Sequence, residues 1–97
     1  MSKDEFIDWM LYIMDRSPAP DSGERTYDYL KEHTARLLDH EPEERGVALE
    51  ALRSWLAIRR APESMVAAML AADLKLIELR EDLHRLLEEV VKVGFRG

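Results

Sequence analysis

The chain has 97 residues, 46% of them apolar and 35% charged, and a net charge of −6. That is room for one domain with its own core, too apolar for a disordered chain and, without cysteine, closed to disulfides, thiolate metal sites and cysteine catalysis. Neither the first 60 residues nor the remainder is basic, so there is no general attraction to phosphate backbones or anionic lipids, and neither nucleic acid nor membrane is expected as a partner.

Met1 to Asp8 is acidic and lacks the basic region and cleavage site of a secretory signal, so a cytoplasmic protein is expected. Ser2 and Glu5 have the spacing of a capping box and predict a first helix from about Lys3 to Asp15. Phe6, Ile7, Trp9, Met10, Leu11, Tyr12, Ile13 and Met14 make that helix apolar almost all round. Such a helix is buried on several sides or meets something outside the chain.

Ser17-Pro18-Ala19-Pro20-Asp21-Ser22-Gly23 is rich in residues that stop helices and reads as a linker. A second helix is predicted from about Glu24, capped by Asp21 or Ser22. Tyr27, Leu30, Thr34, Leu37 and Leu38 share one of its faces, and Glu32 and Arg36 form a favourable i,i+4 pair. Pro42 then suits the first turn of a third helix, where its missing N–H costs nothing. Ala48, Leu49, Leu52, Trp55 and Leu56 make the buried stripe, with Arg59 and Arg60 in the last turn.

Pro62 is another helix start, and no Gly or Pro follows it until Gly94. One helix from Pro62 to Val93 would be about 48 Å long, too long beside a domain with a radius of gyration near 13 Å. A break is therefore predicted at Ala72-Asp73, with Asp73 as the new cap. The last helix carries Leu76, Ile77, Leu79, Leu83, Leu86, Leu87, Val90 and Val91 and ends at Gly94. The same residues are compatible with a rival, one long dimerising helix, since Met69, Leu76, Leu83 and Val90 keep a heptad position. Their stripe is wider than a coiled-coil seam, which favours the broken form. The longest uncharged runs, Trp9–Met14 and Ser64–Ala72, fall short of the roughly 20 residues of a membrane span.

An internal repeat underlies this order. Arg45-x-x-Ala48-x-x-Ala51-Leu52 and Arg80-x-x-Leu83-x-x-Leu86-Leu87 share one pattern 35 residues apart, preceded by Asp39 and Asp73. The stretch from Leu38 to Leu52, with Asp39, Pro42 and Arg45 at its turn, resembles the HEAT and armadillo family of helical repeats over about residues 25–93. The resemblance implies that Asp39 and Arg45 lie close and order the turn. In the second copy no proline shortly precedes Arg80, and leucines stand where small residues are usual. The expected fold is all-α with about five helices, a short HEAT-like α-α repeat or a compact helical bundle. It forms one domain over residues 1–97: an apolar helix over 1–16, a linker over 17–23, and helix pairs over 24–60 and 61–97.

Little in the chain points to chemistry. Glu81 and His84 have the E-x-x-H spacing of di-iron bundles, but such a site needs two copies and further glutamates. His40 and Glu44 are separated by Pro42, so their i,i+4 spacing is not helical; His33 and His40 lie about 10 Å apart along a helix, too far to share an ion. The glycines form no phosphate-binding cluster, and Ser17, Ser22, Ser54 and Ser64 sit in no nucleophile motif. Pairs such as Glu43-Glu44 and Glu88-Glu89 read as solvated helix surface. No enzyme activity and no cofactor or metal is expected.

The aromatic residues give the candidate contact set. Phe6, Met10 and Ile13 supply one buried face of the first helix, which leaves Trp9, Tyr12 or both to point outward. Tyr27 and Tyr29 cannot share a core face, and Tyr29 is the more exposed. Phe6, Trp9, Tyr12 and Tyr29 are thus the expected partner-binding residues. The expected function is a non-enzymatic protein–protein interaction module whose partner is another protein or a second copy in a homodimer. The alternatives are a homo-oligomerising structural subunit, using the first helix or the Met69–Val93 stripe, and an acidic inhibitor that occupies a basic groove.

Overall fold

The Ser2 hydroxyl accepts from the Glu5 backbone N–H at 3.2 Å, and the Glu5 carboxylate accepts from the Ser2 N–H at 2.9 Å. This is the predicted capping box, and it starts the first of five α-helices in a computed structural model that describes residues 1–18 and 21–94. Ala19 and Pro20 of the expected linker lie outside the described residues, as do Phe95, Arg96 and Gly97. The described residues are all-α: α1 (Lys3–Asp15), α2 (Gly23–His40), α3 (Arg45–Ile58), α4 (Ala61–Asp73) and α5 (Arg80–Val93). Short 3-10 turns, Pro42–Glu44 and Ile77–Leu79, precede α3 and α5. None of these helices is long and apolar enough to cross a membrane. The chain divides into two units, Met1–Ala48 and Leu49–Gly97, and the division falls within α3.

In the first unit α1 packs against α2. It buries Phe6, Met10 and Ile13, one per turn, while Ile7, Trp9 and Met14 are half-buried at the edges of that face. The helix is therefore covered on one side only, because Leu11 and Tyr12 stay exposed. Ser22 caps α2, its hydroxyl accepting from the Arg25 N–H at 3.2 Å. Tyr27, Leu30 and Thr34 are buried as the periodicity predicts, and Leu37 and Leu38 are half-buried. The Thr34 hydroxyl donates to the Leu30 carbonyl at 2.8 Å, so no polar group is left unpaired there. Glu32 and Arg36 pair at 3.1 Å. The Met1 ammonium meets Glu44 at 3.0 Å, and this hydrogen bond holds its pKa above the usual amino-terminal value.

Pro42 opens a 3-10 turn rather than α3 itself, which begins at Arg45. In the second unit α3 buries Ala51, Leu52, Trp55 and Leu56. Arg59 and Arg60 do not lie in its last turn. The helix ends at Ile58, Arg59 takes a left-handed backbone (φ 58), and Arg60 stands at the start of α4. Pro62 occupies the first turn of α4 as predicted. Ser64, Ala67, Leu70 and Ala71 form its buried face. The Ser64 hydroxyl donates to the Trp55 carbonyl at 2.8 Å, which fixes α4 against the end of α3.

The predicted break follows Asp73, so no single helix runs from Pro62 to Val93. Asp73 closes α4 instead of capping α5, and α5 starts only at Arg80. The stop is a Schellman motif. The Leu76 N–H donates to the Ala71 carbonyl at 2.8 Å, and the Lys75 N–H donates to the Ala72 carbonyl at 3.3 Å. Lys75 holds the left-handed position (φ 54) that glycine usually takes. Leu76 and Leu79, expected in the last helix, are buried just before it. Gly94 ends α5 with φ 77, as predicted. Arg53 pairs with Asp82 at 3.1 Å and Arg59 with Glu89 at 2.7 Å, joining the α3 segment to α5.

The two 3-10 turns begin at Pro42 and Ile77, and α3 and α5 run over 45–58 and 80–93, so these boundaries are displaced by 35 residues, whereas α2 and α4 differ in length.

Candidate docking surface

The four aromatic residues expected at a partner surface have different environments. Phe6 is fully buried and offers no area to a partner, because it belongs to the inner face of α1. Trp9 is half-buried, with its ring 5.4 Å from that of Phe6. Tyr12 is exposed, and the Arg16 guanidinium lies 4.7 Å above its ring. Tyr29 is half-buried edge-on to His33 at 4.4 Å.

The candidate ligand pairs are also placed. Glu81 and His84 are exposed on α5, and Glu81 meets Arg85 at 3.6 Å. His40 is exposed at the end of α2, while Glu44 holds the Met1 ammonium. Among the described residues no three His, Asp or Glu side chains gather closely enough to hold a metal ion.

Among the described residues, most of the exposed large apolar side chains lie in the second unit. Met65 and Met69 of α4, Ile77 of the turn, and Leu87 and Val91 of α5 are all exposed. Periodicity counted Ile77, Leu87 and Val91 within a broad apolar stripe, which reads as buried in a globular helix. The structure covers only one edge of that stripe. Leu86 is buried, Leu83 and Val90 are half-buried, and Leu87 and Val91 point away. The difference is sharpest between α3 and α5. Leu52 and Leu56 of α3 are 0% and 1% exposed, whereas Leu87 and Val91, 35 positions on, are 62% and 85% exposed.

Two hollows run along this face and share Leu87. One, of about 310 Å³, lies between α4 and α5 over Met65, Met69 and Val90 and has no charged lining. The other, of about 450 Å³, lies over Ala72, Ile77 and Leu83 and is edged by Lys75, Arg80 and His84, with no acidic residue. In a chain of net charge −6 this is a local reversal of sign. A neighbouring cleft over Arg53, Arg80 and Arg85 differs, because Asp82 and Glu81 pair with two of its arginines. The apolar groove thus has one neutral end and one cationic end.

No protein-family model, curated protein or solved structure matches this chain.

Proposed function

We propose that this chain is a non-enzymatic protein-interaction module of helical-repeat type, engaged through the α4–α5 face. One observation carries the reading: Leu87 and Val91 are exposed where their repeat equivalents, Leu52 and Leu56, are buried. In stacked helical repeats each pair buries its apolar stripe against whatever packs on it, so an open stripe is a surface for a further packing element. Large apolar side chains open to water on a contiguous face mark an interaction surface. Methionines at 65 and 69 add to this, since their flexible thioethers adapt to an incoming side chain. On the HEAT-like reading, α2 with α3 and α4 with α5 are successive helix–turn–helix pairs, and Asp39 and Arg45 order the first turn.

A photo-crosslinking residue placed at 87 tests the proposal in the cells that make the protein. The expected result is a discrete protein adduct from position 87 and none from the exposed Ala35 on α2. Equal adducts from both positions, or none from 87, would overturn it.

A further inference from the structure

We infer that the occupant of the α4–α5 groove is the outer face of α1 from a second copy of this chain. The inference rests on the reading of that groove as a docking surface.

Among the described residues, the exposed large apolar side chains fall into two sets. One is Met1, Leu11 and Tyr12, at and before α1; the other lies between Met65 and Val93. The charges beside the α1 set and in the lining of the groove differ. On α1, Asp4, Asp8, Leu11, Tyr12 and Asp15 are all exposed. Their spacing places them on one face, opposite Phe6, Met10 and Ile13. This outer face is a short apolar patch set among three carboxylates. The groove is the converse, an apolar floor with Lys75, Arg80 and His84 at one end and no acid.

The spacings also agree. Along α1 the order is Asp4, Asp8, Leu11; along α5 it is Arg80, His84, Leu87, with identical intervals of four and three residues. Laid parallel, an α1 helix therefore sets Asp4 against Arg80, Asp8 against His84 and Leu11 against Leu87 in a single register. Seven residues span about 10 Å on either helix, so no stretching is needed. The mode is a helix in a groove, with apolar anchors giving affinity and the charges fixing direction. Each chain offers one such helix and one such groove. Reciprocal exchange closes a dimer, and an unreciprocated contact builds larger species.

Sedimentation velocity across a wide concentration range tests this, with circular dichroism as the check that each variant is folded. The wild-type chain is expected to exceed the 11.3 kDa of one copy as concentration rises, and to dissociate as salt screens the ion pairs. Arg80→Asp should weaken association about tenfold, since it turns an attraction into a repulsion. Asp4→Arg in the same chain should restore it. A constant mass of one copy overturns the inference, and so does association that ignores Arg80→Asp or is not recovered by the double change. Constant mass together with a position-87 adduct to a different protein removes self-pairing alone. Constant mass with no adduct removes the docking surface as well.

Discussion

Arg59 donates from Nε to a Glu89 carboxylate oxygen at 2.7 Å and from Nη1 to the Leu56 carbonyl, also at 2.7 Å. One side chain thus closes the open end of α3 and ties that end to α5. It does so from a left-handed backbone that disfavours any residue with a Cβ. Arg59→Ala keeps the backbone strain and removes both bonds, so it should cost about 1–2 kcal/mol. Arg59→Gly removes the same bonds and relieves the strain, so it should be about 1 kcal/mol more stable than the alanine variant. Urea midpoints of the two variants measure the difference. Equal midpoints would mean that the left-handed conformation carries no cost.

Lys75 presents the same conformation without a comparable set of side-chain bonds. Its backbone N–H already closes the Schellman motif, and that bond survives any substitution except proline. Lys75→Gly should therefore stabilise the chain by about 0.5–1 kcal/mol and raise its melting temperature by a few degrees. It also removes the lysine charge from the groove, so the same variant should self-associate more weakly. A melting temperature that falls would show that the lysine stem contributes packing that outweighs the strain.

At the other end of the chain, Glu5 gives a pH signature. The Ser2 backbone N–H, and after it the Ser2 hydroxyl, hold the Glu5 carboxyl below the usual glutamate value. A lowered folded pKa means that the unfolded state binds the proton more readily. The stability from this contact is then fully present above about pH 4.5 and fades as pH falls through the lower folded value. Glu5→Gln should remove that dependence and leave the rest of the acid-unfolding curve in place. Parallel curves for the two proteins would count against the capping box as its source.

Much of the fold was legible in local chemistry. Ser2, Ser22, Pro62 and Gly94 punctuate helices where their side chains or rings predict, because caps depend on a few neighbouring backbone groups. The stop after Asp73 was legible only as a length argument. Its mechanism was hidden, since a lysine stands where the motif usually shows glycine. Phe6 and Trp9 show a second limit. Both are aromatic and three residues apart; spacing already puts Phe6 on the inner face, but how far Trp9 is covered at its edge is decided by the packing against α2. The groove was the least legible part. Periodicity identifies Leu83, Leu86, Leu87, Val90 and Val91 as one apolar stripe, yet whether a neighbour covers all of it depends on the tertiary structure.

That point yields the sharpest test of the structure. Leu52 and Leu87 are the same residue type, 35 positions apart, on helices of equal length with equivalent boundaries. Leu52 is 0% exposed and Leu87 is 62% exposed. Leu52→Ala should leave a cavity and cost about 2–5 kcal/mol. Leu87→Ala removes a side chain already in water and should cost well under 1 kcal/mol when the chain is dilute. At high concentration the ranking should narrow, because a bound partner helix buries Leu87 and adds its binding free energy to the apparent stability. Urea unfolding of both variants at two protein concentrations reads all of this. A large loss for Leu87→Ala in dilute solution would mean that the stripe is covered within a single chain.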